Sequence, residues 1–283
     1  MKLVTWRTHA ASSPATRYGV LDGDQVVDLG ADLLQALTEG TDVLAAAKAA
    51  VASGSPRMPL AGLKLAAPVP RPGKIICLGL NYYDHAKEGG REKPDYPWFF
   101  FRGATSLVAH GEAGIRPRVS ERFDYEAELA VVIGRSARHL KQADALSCVF
   151  GYSCFNDMSV RDYQKKTPQW TIGKNFDGTG GFGPVLVTAD ELPPGATGLK
   201  IQSRLNGKVM QDANTTDMIW GVAETIALLT ECLTLEPGDV IVMGTPAGVG
   251  QARTPPVWMK EGDTIEIEIE RVGLLSNPVR DEA

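Results

Sequence analysis

Two glutamates stand at the entrance of an apolar run, Phe123-Asp124-Tyr125-Glu126-Ala127-Glu128-Leu129-Ala130-Val131-Val132-Ile133-Gly134. A pleated backbone points side chains at i and i+2 to one face, so Glu126 and Glu128 lie side by side. Like charges held that close are costly, and such a pair is solvated, shares a proton or holds a cation between its members. The run continues as Ala130-Val131-Val132-Ile133, apolar on both faces, which directs the two carboxylates into protein. Asp157 ends another apolar run, Phe150 to Phe155, and can close a third side around the pair. Oxygen ligands without a nearby Cys or His select Mg2+, Mn2+ or Ca2+ over Zn2+.

The C-terminal run Asp263-Thr264-Ile265-Glu266-Ile267-Glu268-Ile269-Glu270 is the control, because it too carries glutamates at alternate positions. Its clean alternation of Ile and Glu is that of a strand with one wet face, so no ligand set is expected there.

A second candidate is Asn81-Tyr82-Tyr83-Asp84-His85-Ala86-Lys87-Glu88-Gly89-Gly90. Asp84 is expected to cap one helical turn that the glycine pair ends. At i and i+3 in that turn, Glu88 can orient the His85 imidazole and raise its basicity, a minimal general-base dyad. An exposed pair on a loop would have the same spacing. The remaining histidines, His9, His110 and His139, are not paired at ligand spacing, and there is no GxSxG, P-loop or HExxH. Gly178-Thr179-Gly180-Gly181-Phe182-Gly183 matches GxGxxG formally, but it runs into Pro184-Val185-Leu186-Val187, a strand, whereas a dinucleotide fingerprint needs a helix N-terminus.

The elements that must position these groups read in order. Residues 1–30 form short strands with a hairpin at Asp22-Gly23-Asp24, and Ala31 to Ala52 holds two short helices. The proline-rich stretch Ala66 to Gly73 divides a small N-terminal α+β domain, 1–70, from a catalytic domain, 71–283. Lys74 to Gly79 reads as a buried strand. Pro97-Trp98-Phe99-Phe100-Phe101-Arg102 either lines a pocket or packs in the core. Asp217 to Leu233 is a helix by the spacing of its apolar residues, with Thr216 as its cap. Val240 to Met243 leads into Gly244-Thr245-Pro246-Ala247-Gly248-Val249-Gly250, a loop able to hold an anion on its backbone N–H groups or simply to turn.

A net charge of −5 with no Lys/Arg block excludes a nucleic-acid or anionic-membrane surface as the main partner. Four cysteines without CxxC spacing and an N-terminus without an apolar signal segment set the expectation of a reduced, cytoplasmic protein. No window is apolar for long enough to span a membrane as a helix.

Taken together, Gly79 to Glu88, Asp124 to Gly134, Asn156-Asp157-Met158-Ser159-Val160-Arg161-Asp162 and Gly244 to Gly250 resemble, in the same order, the motifs of the fumarylacetoacetate hydrolase family. The resemblance runs from about Lys74 to the C-terminus. It implies a β-rich α+β fold, a mixed β-roll or β-sandwich with peripheral helices, and a homodimer. It implies Mg2+ or Mn2+, with Ca2+ as a substitute in a crystal, held by Glu126, Glu128 and Asp157. Lys174 and Gln164 would touch substrate oxygens, Thr245 with Gly244 would hold a substrate carboxylate, and His85 with Glu88 would activate water on a lid. Arg161 is either a substrate contact or a salt-bridge partner. Relatives often carry Lys where this chain has Arg102, a departure expected to alter the polar lining near the lid. The substrate would be a small 2-oxo or 1,3-diketo acid. The expected reaction is hydrolysis of its carbon–carbon bond, the alternatives being an oxaloacetate-type decarboxylase, an isomerase of unsaturated oxo-diacids, or a non-catalytic binding protein on the same fold.

Overall fold

A computed structural model describes residues 1–8, 16–90 and 92–283; His9 lies outside them. The chain opens with strands β1 (Lys2–Arg7), β2 (Thr16–Asp22) and β3 (Gln25–Gly30), helices α1 (Leu33–Thr38) and α2 (Val43–Ala52), and a short β4 (Arg57–Pro59). Asp32 and Asp42 begin the two helices by accepting from Leu34 N–H and Ala45 N–H. Then come β5 (Ile75–Gly79), α3 (Tyr83–Glu88), β6 (Trp98–Arg102), β7 (Leu107–Val108), β8 (Gly114–Arg116), β9 (Phe123–Asp124) and β10 (Ala127–Ile133). After α4 (Gln142–Ala145) follow β11 (Val149–Asp157), β12 (Ser159–Val160), α5 (Arg161–Gln164), α6 (Thr171–Lys174) and β13 (Gly180–Thr188). The chain ends with β14 (Lys200–Leu205), β15 (Lys208–Asn214), α7 (Val222–Cys232), β16 (Val240–Val242), β17 (Thr264–Ile269) and β18 (Gly273–Asp281).

The main sheet has 11 strands in the order β4-β3-β2-β1-β13-β11-β10-β16-β5-β6, with β7 against β13. Its pairs are antiparallel apart from β16 with β5 and β13 with β7. The first strands are therefore hydrogen-bonded to the rest through β1 and β13, Lys2 facing Val187. A second sheet, β15-β14-β17-β18-β8, has five strands.

Alternation along β10 sorts the core into two layers. Leu129, Val131 and Ile133 pack with Ile201, Ile265, Ile267 and Ile269 of the second sheet, which makes a sandwich. Ala130 and Val132 pack on the opposite side with Phe100, Phe155 and the helical Leu33, Leu37 and Ala47. Glu126 and Glu128 have the parity of Ala130, Asp157 that of Phe155, and Arg102 that of Phe100. The helix-side face of the sheet therefore runs from apolar to ionic as it approaches the ends of β10, β11 and β6. On β17 the isoleucines are buried, while Glu266 and Glu268 reach Arg204 at the surface, the wet face its pattern implies. Among the described residues no helix is long and apolar enough to cross a membrane.

Helix α7 starts at Val222, later than its apolar spacing suggests, and Thr216 does not cap it. Thr215 to Asp217 is instead a single turn closed by a capping box between Asn214 and Asp217. Ile219 N–H and Trp220 N–H then donate to Asn81, at 2.8 Å each, so pairing with the segment before α3 outweighs helical propensity there.

Candidate active site

Antiparallel pairing of β10 with β11 sets Ala127 opposite Asn156. Asp157 N–H donates to the Glu126 carbonyl and Glu126 N–H to Asn156 Oδ1, both at 3.0 Å. This fixes Glu126, Glu128 and Asp157 together: one oxygen from each lies within 4.8 Å of the others, and all three are buried.

Three cations surround them. Lys174, from α6, places Nζ 2.5 Å from both Glu126 Oε2 and Asp157 Oδ2. Arg161 sits 2.7 Å from Glu126 Oε1 by Nη2, donates from Nε to Asp124 Oδ2 at 2.8 Å and from Nη1 to Gln164 Oε1 at 3.0 Å. Nη2 meets Glu126 as an ion pair without a hydrogen bond, and Arg161 also lines the cavity beside the cluster. Arg102 donates to Asp157 Oδ1 at 2.5 Å and to Thr179 Oγ1 at 2.9 Å. The residue expected to alter the polar lining near the lid lies buried at the end of β6 and is not among the side chains that line the cavity beside the cluster.

Four buried carboxylates, Asp124, Glu126, Glu128 and Asp157, thus meet three buried cations, Arg102, Arg161 and Lys174. Glu128 is the carboxyl left without an ion pair among the described residues, and it accepts only from Gly244 N–H, at 2.5 Å. Burial, then Asp157 and Glu126, push the Glu128 carboxyl well above its usual range. Burial also raises Glu126, but Arg161 and Lys174 outweigh it and hold that carboxyl low. Burial lowers Lys174, yet Asp157 and Glu126 leave its ammonium higher than normal. A buried oxygen-only cluster with one carboxyl left unpaired fits a hard dication, which would favour the ionised form of that carboxyl, and no thiolate or imidazole stands among its three members to favour Zn2+.

Glu126 and Glu128 of the cluster, with Arg161 and Lys174, line a cavity of about 410 Å³, whose other sides are formed by His85, Glu88, Gln164, Thr245, Phe100 and Trp170. His85 Nδ1 lies 2.8 Å from Glu88 Oε1, and Glu88 Oε2 accepts from Gly248 N–H at 2.9 Å. With Nδ1–H donating to the carboxylate, Nε2 keeps its lone pair. Asp84 lies inside the first turn of α3 and does not cap it; Tyr82 occupies that position without a side-chain bond. Thr245 Oγ1 accepts from Gln211 Nε2 at 2.7 Å, and Gln211 Oε1 in turn accepts from Ala127 N–H at 3.0 Å, so the hydroxyl proton is left to donate elsewhere. Gly244, expected beside a substrate carboxylate, instead turns its N–H to Glu128.

Gly244 has φ +86° and a Cβ on it would lie 2.7 Å from Asn81 Cβ. The left-handed backbone and the clash together should cost Gly244→Ala roughly 2–4 kcal/mol. Thermal unfolding is the check, and a variant melting with the wild type would show that the loop does not need this geometry.

Asp124, Arg102, Gln211 and Asn81 are the supports that the spacing argument missed. Only Asp124 left a sequence signal, since it continues the i, i+2 series of Glu126 and Glu128 one step back.

Residues 74–280 match the family model described as fumarylacetoacetate (FAA) hydrolase, C-terminal. The human protein oxaloacetate tautomerase FAHD2A, mitochondrial, is 38% identical over 288 residues, covering 99% of this chain and 91% of that protein. A fumarylacetoacetate hydrolase from Exiguobacterium antarcticum superposes with a TM-score of 0.86 at 34% identity, over all of both chains. Maleylpyruvate hydrolase from Sphingobium sp. SYK-6, solved in complex with manganese(II) and pyruvate, gives a TM-score of 0.83 at 30% identity, again over all of both chains. With the expected motifs, fold and acidic cluster all in place, the chain belongs to the fumarylacetoacetate hydrolase family.

Proposed function

We propose that the protein moves a proton between C3 and the keto oxygen of a short 2-oxo acid, interconverting its keto and enol forms, with oxaloacetate as the type of substrate. The observation that carries this reading is the placement on one cavity of the His85–Glu88 pair and of Glu126 and Glu128, two members of the three-carboxylate cluster. Similarity over 99% of the chain to an oxaloacetate tautomerase favours proton transfer over hydrolysis.

Glu126, Glu128 and Asp157 would hold Mg2+ or Mn2+, which supplies a Lewis acid for the carboxylate and keto oxygens of the substrate. Thr245 donates its free proton to the substrate carboxylate. Gln164, its carbonyl held by Arg161, turns its amide N–H groups to the keto oxygen. His85 Nε2 takes a proton from C3, the C–H electron pair becomes the C2–C3 double bond, and the carbonyl pair moves onto oxygen. Lys174 and Gln164 stabilise that oxygen until the proton carried by the imidazole returns to it.

The test is the ultraviolet absorbance of oxaloacetate enol as it relaxes to the keto form, with Mn2+ and with EDTA. His85→Gln should lower the catalysed rate by about 10²- to 10⁴-fold, the range of general acid–base catalysis, and leave Mn2+ affinity within about threefold. Catalysis that survives both EDTA and His85→Gln would defeat the proposal. A second reading, hydrolysis of a 1,3-diketo acid by water activated at His85, is favoured by the dyad and by likeness to the maleylpyruvate hydrolase. Release of pyruvate and a carboxylic acid from an acylpyruvate would select it.

A further inference from the structure

Trp170 stands between two cavities. One is the carboxylate cavity of about 410 Å³; the other is a hollow of about 350 Å³ on the far side, and Phe100 and Trp170 line both. The far hollow is otherwise walled by Trp98, Phe99, Phe101 and Pro168, with Gln169 and Thr171 at its edge, and no ionisable side chain lines it among the described residues. Ring packing holds the indole in place: its centroid is 5.3 Å from that of Trp98 and 5.9 Å from that of Phe100. The backbone of β5 makes room for it, since a Cβ on Gly79 would lie 2.0 Å from a ring carbon of Trp170. Trp170 also immediately precedes α6, whose Lys174 reaches the carboxylates, so this wall is anchored to the chemistry.

We infer that Trp170 is a specificity-determining residue that restricts the cavity to short 2-oxo acids, and that the hollow behind it is a latent apolar subsite for a longer acyl or aromatic tail. The inference rests on the 2-oxo acid reading given above. The cluster, Thr245 and the dyad engage the first three carbons whatever the tail. The wall that Trp170 shares with Phe100 separates the two spaces, and removing the indole would open one into the other. A tail entering an apolar space gains roughly fourfold in affinity per buried methylene.

The experiment follows deuterium exchange at C3 by proton NMR, with Mn2+-loaded protein and the unbranched 2-oxo acids from 2-oxobutanoate to 2-oxooctanoate. Wild type should lose kcat/KM as the tail lengthens. In Trp170→Ala the kcat/KM ratio of 2-oxooctanoate to 2-oxobutanoate should rise at least about tenfold, carried mainly by KM, a cautious fraction of the methylene gain. Trp170→Phe, which keeps an aromatic partition, should retain the wild-type order. Gly79→Ala, whose methyl displaces the indole, should shift the ratio in the same direction as Trp170→Ala, and it decides the matter if Trp170→Ala does not fold. An unchanged ratio in folded Trp170→Ala and Gly79→Ala overturns the inference while leaving the 2-oxo acid reading standing. Absence of exchange by wild type on every member and on oxaloacetate, despite Mn2+ binding, overturns that reading and this inference with it.

Discussion

Glu128→Gln is expected to abolish dication uptake while leaving the metal-free fold intact or slightly firmer. Loss of an outer partner alone typically weakens a metal site by about 10- to 100-fold, so loss of one of three carboxylate ligands should cost at least about 100-fold in calorimetric affinity for Mn2+. The effect on the empty protein has the opposite sign. Glu128 is the carboxyl without an ion pair among the described residues, and burial, then Asp157 and Glu126, hold it toward its neutral form. A carboxamide of the same shape is neutral without the cost of protonating a carboxyl at neutral pH, and it can still accept from Gly244 N–H. Wild type at about 100 times Kd of Mn2+ should gain about 2.7 kcal/mol. At about 2–4 °C per kcal/mol that is a rise in Tm of roughly 5–10 °C, which the variant should not show. A variant that still takes up Mn2+ like wild type would mean that the three carboxylates are not the ligand set. One that unfolds without metal would mean that Glu128 is structural.

Arg161→Met should be the most destabilising single change in the site. The guanidinium is the ion-pair partner of Asp124 and of Glu126 Oε1, and it is buried. Methionine fills much of the volume but leaves two buried carboxylates with one fewer counter-charge, and breaking a buried pair in this way costs about 3–5 kcal/mol. The expected fall in Tm is roughly 6–20 °C. Arg161→Lys restores the charge without the planar fork that reaches Asp124, Glu126 and Gln164 together, so it should recover part of the stability and less of the activity. If Arg161→Met melts within about 2 °C of wild type, the ionic cluster does not hold the ends of β10 and β11 together.

The carboxylate pair was legible because strand periodicity is local: Glu126, Glu128 and the apolar residues after them lie within eight positions and share one pleat. The contrast with the Ile/Glu alternation of β17 was legible for the same reason. Arg102 was not, because it meets Asp157 across 55 residues and only after β5 and β16 have joined β6 to β10 in one sheet. Nor was the late start of α7, where the apolar spacing of Ile219 and Val222 is helical but the backbone of Ile219 and Trp220 pairs with Asn81. Trp170 carries no motif at all. Its place depends on Gly79 lacking a side chain some ninety residues earlier, and a missing atom leaves no pattern in a sequence.

The ammonium of Lys174, lodged between Glu126 and Asp157, gives loading of the site a particular character. Under the proposed reading Glu126 and Asp157 would exchange the Lys174 ammonium for a dication, and without metal they keep that ammonium as a counter-charge. Lys174 would then stand, still charged, beside the cavity it lines, where the proposed reaction would develop negative charge. The same atom would serve as plug in the idle protein and as electrophile in the working one.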